Sequence, residues 1–151
     1  MNSKSRISLF ALALLVVVAG LATADQFNER DKNVLVIPIG SFAAGAADVG
    51  DFVVRVPQAC KIDAAYFTAN GAIAKDGTDN IAVTLTDDGS TIGTFLSSTT
   101  AVVDDTPVAL TLTASPVSVA AASLLKVAVA HGGSGQQGTD TAVIIHYHNA
   151  N

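Results

Sequence analysis

Tryptophan is absent from this chain of 151 residues, cysteine occurs once, and charged residues make up only 14% of it. With aromatics at 5%, the stacking platforms that bind sugars or single-stranded nucleic acid are not favoured. The lone Cys60 excludes a disulfide within one chain and reads as a small buried hydrophobe. Basic residues are also scarce, 8 against 13 acidic. When Lys4 and Arg6 are set aside with the N-terminal segment, 6 basic residues face 13 acidic ones, a net charge of −7. Such a surface repels the phosphates of DNA and RNA, so no nucleic-acid partner is expected.

Long hydrophobic runs are missing except at the start. Lys4 and Arg6 precede the apolar run Ile7 to Ala22, which closes on Ala22-Thr23-Ala24 before Asp25. A basic start, a greasy middle and an Ala-x-Ala site describe a secretory signal peptide. At about 16 residues the run is shorter than the roughly 20 that a membrane-spanning helix needs. Residues 1–24 are therefore read as a signal-like hydrophobic helix, and membrane contact is expected only through residues 7–22 if it is uncleaved. Residues 25–50 read as a polar N-terminal arm plus a first strand, and residues 51–151 as the folded domain.

From there on the pattern is that of strands. Ile81, Val83 and Leu85 alternate with Ala82, Thr84 and Thr86, a period of two that puts the large apolar groups on one face. Asp87-Asp88-Gly89-Ser90 supplies turn chemistry, and Ile92 resumes the apolar side of a hairpin. Val34 to Ile39 reads as an edge strand or a bulge because it contains Pro38. Phe52 to Val56 is a second strand, and in Cys60 to Ala69 the alternation groups Ile62, Ala64, Tyr66 and Thr68 on one face. Val108 to Thr113, Leu125 to Val129 and Val143 to Tyr147 complete the set, with His131 to Asp140 as a flexible Gly-rich loop. About eight strands separated by turns predict an all-β fold, a jelly-roll-like sandwich of two sheets. Its expected core includes Ile81, Val83, Leu85, Val108, Leu110, Leu112, Val127, Val129, Val143 and Ile145.

No constellation assembles a catalytic site. A Gly-x-Ser-x-Gly elbow is absent, and Ser134 lies near His131 in a loop without an orienting acid. No cofactor is expected, and catalytic residues are none. His146 and His148 are two apart, hence on one face of a strand, and are the nearest approach to a metal pair. No third ligand shares their spacing, so a polar solvent or subunit face is the simpler reading. The Asp-rich segments Asp76 to Asn80, Asp87 to Gly89 and Asp104-Asp105 lack the full calcium-loop pattern and read as turn caps.

The order of motifs resembles the small β-sandwich decoration (cement) proteins of tailed-bacteriophage capsids. The likeness runs over about 100 residues, through Phe52-Val-Val-Arg-Val-Pro57, Cys60-Lys-Ile-Asp-Ala-Ala-Tyr66, Asn70-Gly-Ala-Ile-Ala74, Ile81 to Thr86, Asp105 to Thr113 and Val119 to Val129. It implies a non-enzymatic structural protein, a homotrimer on the virion surface that clamps neighbouring capsomers of the major capsid protein. The alternative is a secreted bacterial surface or filament subunit that joins identical subunits by strand addition. In both readings the arm and first strand carry the contact, with Phe27, Val34, Val36 and Ile39 as the partner-binding residues.

Overall fold

The structure, a computed structural model, describes residues 32–45 and 48–150. The expected hydrophobic helix, the arm 25–31 and Phe27 lie outside those residues. Ten strands follow one another: β1 (Lys32–Phe42), β2 (Val49–Arg55), β3 (Cys60–Thr68), β4 (Asn80–Asp87), β5 (Ser90–Leu96), β6 (Val108–Ala109), β7 (Thr111–Leu112), β8 (Val117–Val119), β9 (Leu124–Gly132) and β10 (Gly138–Asn149). They form two five-stranded sheets, one ordered β1-β10-β3-β6 with β8 also on β3, the other β2-β9-β4-β5-β7. The pairings of β10 with β3, β2 with β9, β3 with β8 and β4 with β5 are all antiparallel.

Alternation produces this arrangement directly. Along β4, Ile81, Val83 and Leu85 are fully buried while Ala82 and Thr84 are half-exposed, the signature of a sheet with one wet face. At the tip, Asp88 (φ 45°) and Gly89 (φ 86°) form a two-residue loop between Asp87 and Ser90, the left-handed pair that a tight hairpin requires. The Asp88 carboxylate accepts a bond from the Leu124 N–H at 2.9 Å, and the Asp88 N–H donates to the Leu124 carbonyl at 3.1 Å. The hairpin tip is thereby tied to the start of β9.

The inner faces meet in one cluster that draws on both sheets. Phe67 of β3 and Phe95 of β5 stack across it, ring centroids 5.3 Å apart and planes at 25°. Of the expected core residues, Val108 and Leu112 are only half-buried, at the margin; the others are inside.

Four local readings need correction. The first strand is no part of a detached arm: the compact unit begins at Asn33, β1 pairs with β10, and Ile37, Ile39 and Phe42 are core residues. In β3 the inward phase changes. His146 pairs with Ala64 but Tyr147 with Ile62, so Asp63 is an extra residue, a bulge that flips everything after it. Ile62 faces inward, yet beyond the bulge Ala65 and Phe67 do so, in place of Ala64 and Tyr66. The strand expected over Val108 to Thr113 is two short ones: β6 pairs with β3 and β7 with β5. Leu110 between them donates its N–H to the Ala65 carbonyl, and the chain changes sheets there. The Gly-rich loop is also shorter than expected, because β9 extends to Gly132 and β10 starts at Gly138. What remains is fixed at Gly133 (φ 62°), where a Cβ would collide with the Thr78 carbonyl.

Candidate functional site

Two neighbouring features stand out among the described residues, an outermost strand and a cavity. β1 ends its sheet, as Pro38 led one to expect. Val34 and Val36 project outward, 61% and 52% exposed, whereas Ile39 is 6% exposed and belongs to the core. Ile39 is thus committed to packing within the chain. From Asn33 to Phe42 the strand carries no charged side chain, although charge is the usual protection of an edge. The edge strand of the other sheet is different: β2 carries Asp51, bridged to Lys126 at 2.7 Å, and Arg55. The short β6, β7 and β8 offer little edge at all.

On the strand beside β1, the two histidines have separate partners. The His148 Nδ1 lies 2.8 Å from an Asp63 carboxylate oxygen, so the bulge in β3 places an acid beside that imidazole. His146 leans against Tyr66, ring centroids 5.2 Å apart. Among the described residues no group of three or more His, Cys, Asp or Glu is placed to hold a metal ion.

In the Asp-rich turns the carboxylates of Asp76, Asp79, Asp88 and Asp104 accept backbone N–H bonds, whereas one oxygen of Asp87 is buried without a partner. Asp76 accepts the N–H groups of Thr78 at 2.8 Å and Asp79 at 3.1 Å, and these hold its carboxyl below the ordinary value of 3.8. Asp79 accepts the Ser134 N–H at 2.7 Å, and Asp104 that of Gly71 at 2.6 Å. These bonds brace loops against one another. His131 packs edge-on against Phe42 at 5.4 Å, and both its ring nitrogens are buried without a hydrogen-bond partner. Neither nitrogen is bonded to Ser134.

The cavity, of about 260 Å³, opens where β1 and the end of β2 face each other. Leu35, Val54, Ile62, Leu125 and Ile145 form its walls, so both sheets contribute. Asn33, Gln58, Asn149 and the Tyr147 side chain surround it with polar groups, and Arg55 is the one charged residue of its described lining. Cys60 is also on the wall. Burial, and secondarily the charge of Asp87, pushes its thiol above the ordinary value of 9.0, which makes it an inert thiol at neutral pH. Nothing in the sequence pattern marks this cavity, because its walls come from five strands scattered along the chain.

No protein-family profile matches the chain, and no curated protein or solved structure is significantly similar to it. The fold and edge define a class only: a two-sheet antiparallel β protein that, among the described residues, has a long outermost strand without charge from Asn33 to Phe42. No helix among the described residues is long and apolar enough to cross a membrane.

Proposed function

We propose that the protein is a non-enzymatic structural subunit that works as a homotrimer and decorates a larger protein shell, a capsid decoration protein of the virion surface. The observation that carries this reading is β1, which has no charged side chain from Asn33 to Phe42 and whose Val34 and Val36 are exposed. A long edge with exposed apolar side chains risks pairing with another chain, with Pro38 as its one interruption. The strand order supports it further. Pairing β1 with β10, β2 with β9, β3 with β8 and β4 with β5 is one antiparallel ribbon wrapped on itself. We read this order as a jelly roll, an architecture found in viral capsid proteins.

A secreted surface or filament subunit is the second reading, favoured by the signal-like residues 1–24. Here the same edge accepts a strand from the next subunit. Since Ile37 and Ile39 are core residues, deletion of the strand would unfold the domain, so the test is substitution at the surface. Val34→Lys with Val36→Lys should turn a trimer into a monomer by light scattering while the circular dichroism spectrum stays β. A monomeric parent protein at tens of micromolar would refute assembly altogether. Mass spectrometry separates the two settings: an intact chain stoichiometric with capsid protein in purified virions, or a chain starting at Asp25 in culture fluid.

A further inference from the structure

A glycine after an asparagine leaves the step between them open to spontaneous change, because no Cβ shields the glycine amide. The amide nitrogen attacks the asparagine Cγ. The N–Cγ bond forms as the Cγ–Nδ2 bond breaks, and ammonia leaves carrying the amide proton. Water then opens the cyclic imide at either carbonyl, giving aspartate or its β-linked isomer. The chain has this step at Asn70-Gly71, and its acid counterpart, which closes the same ring with loss of water, at Asp76-Gly77 and Asp88-Gly89. At the two acids the side chain is engaged: the Asp76 carboxylate accepts the N–H groups of Thr78 and Asp79, and the Asp88 carboxylate that of Leu124. Asn70 differs. It is exposed, and no hydrogen bond among the described residues engages its side chain. The structure restrains the attacking group instead. The Gly71 N–H donates to an Asp104 carboxylate oxygen at 2.6 Å. Open space surrounds the place of a Cβ at Gly71, φ 116°, so it is this bond and not crowding that guards the amide.

We propose that Asn70-Gly71 is a deamidation site that Asp104 holds closed. A charge-assisted bond has to be given up before the Gly71 nitrogen turns toward Cγ, and the backbone to either side is tied as well. The Asn70 N–H donates to the Thr139 carbonyl at 2.9 Å, and the Asp105 N–H to the Ala69 carbonyl at 3.1 Å. Reaction therefore waits on local opening of the connection between β5 and β6, which carries Asp104. Conversion is one-way. A new carboxylate at position 70 lies next to the amide that Asp104 holds, and repulsion between the two acids weakens the tie further.

The full chain, its Asp104→Ala variant and the chain unfolded in guanidinium are held at slightly alkaline pH, sampled over weeks and digested. Mass spectrometry of the peptide carrying residue 70 counts the exchange of amide for carboxyl, and its retention separates the β-linked isomer. The unfolded chain is expected to convert fastest and the folded parent slowest. Asp104→Ala should convert several-fold to about tenfold faster than the parent, the value of one charge-assisted bond. Asp79→Ala removes a comparable tie, to the Ser134 N–H, and should leave the rate at Asn70 unchanged. Circular dichroism establishes that each variant is folded. If Asp104→Ala is not, Asp104→Asn, which keeps an acceptor without the charge, is read in the same way with a smaller gain. Equal rates in the parent and the folded Asp104 variant overturn the role of Asp104, and so does an equal acceleration by Asp79→Ala, which would mean general loosening. A folded parent that converts as fast as the unfolded chain overturns the closed site altogether.

Discussion

The stack of Phe67 on Phe95 joins the two sheets, and its strength can be worked out before it is measured. Phe67 is 0% and Phe95 4% exposed. Truncating either to Ala costs about 3–5 kcal/mol, and the pair together would exhaust the roughly 5–15 kcal/mol of a typical domain. Leucine is the better probe, because it removes the ring yet keeps part of the buried volume and so costs less than truncation to alanine. At 5.3 Å and 25° the rings are within the offset-stacked range, which adds about 0.5–1.5 kcal/mol beyond buried area. Phe67→Leu, Phe95→Leu and the double variant therefore form a cycle whose single losses should exceed their combined loss by about that coupling. Urea unfolding monitored by far-ultraviolet circular dichroism measures all four proteins. Losses additive to within about 0.3 kcal/mol would mean that the rings do not touch, and would refute the facing of β3 and β5 across the core.

Two further outcomes follow from the turns. Gly89→Ala, at φ 86°, should cost about 1 kcal/mol, whereas Gly77→Ala, with open space and no left-handed strain, should be neutral or stabilising by up to about 1 kcal/mol; equal effects in urea titrations would contradict the turn assignment. Asp76 is held ionised by two N–H groups, so its contribution is present above its ordinary value of 3.8 and lost as the pH falls below it; Asp76→Ala should flatten the decline in urea midpoint between about pH 5 and pH 3, and an unchanged slope would remove that role.

The hairpin and most of the core were legible in the sequence because they depend on neighbours. Alternation from Ile81 to Leu85 and the Asp-Gly turn are local signals, and the structure uses both as read. The errors arise where a distant partner decides. Nothing within β3 reveals that Asp63 is unpaired; only the register of β10 does. Val108 to Thr113 looks like one strand because its alternation is clean, yet β3 and β5 compete for its two halves and Leu110 marks the division. The exposed edge was half legible: Pro38 announced it, while the inward turn of Ile39 depends on the phase of packing. The cavity was illegible for the same reason, being a gap among side chains from far-apart strands.

The wrapped ribbon also fixes an order of assembly in time. Its tip closes across Asp88 and Gly89 alone, a loop of the kind that forms in about 1–10 μs. Each later pair spans a longer loop: 83 residues separate Asp48 from His131 beside β2 and β9, and 99 separate Ser41 from Asp140 beside β1 and β10. Loop closure becomes costlier with length, so the expected order of folding runs from the hairpin outward, with β1 docking last. In the proposed assembly the strand that completes the domain is the one still available to a neighbouring copy, and an encounter between copies would then compete with the final step of folding.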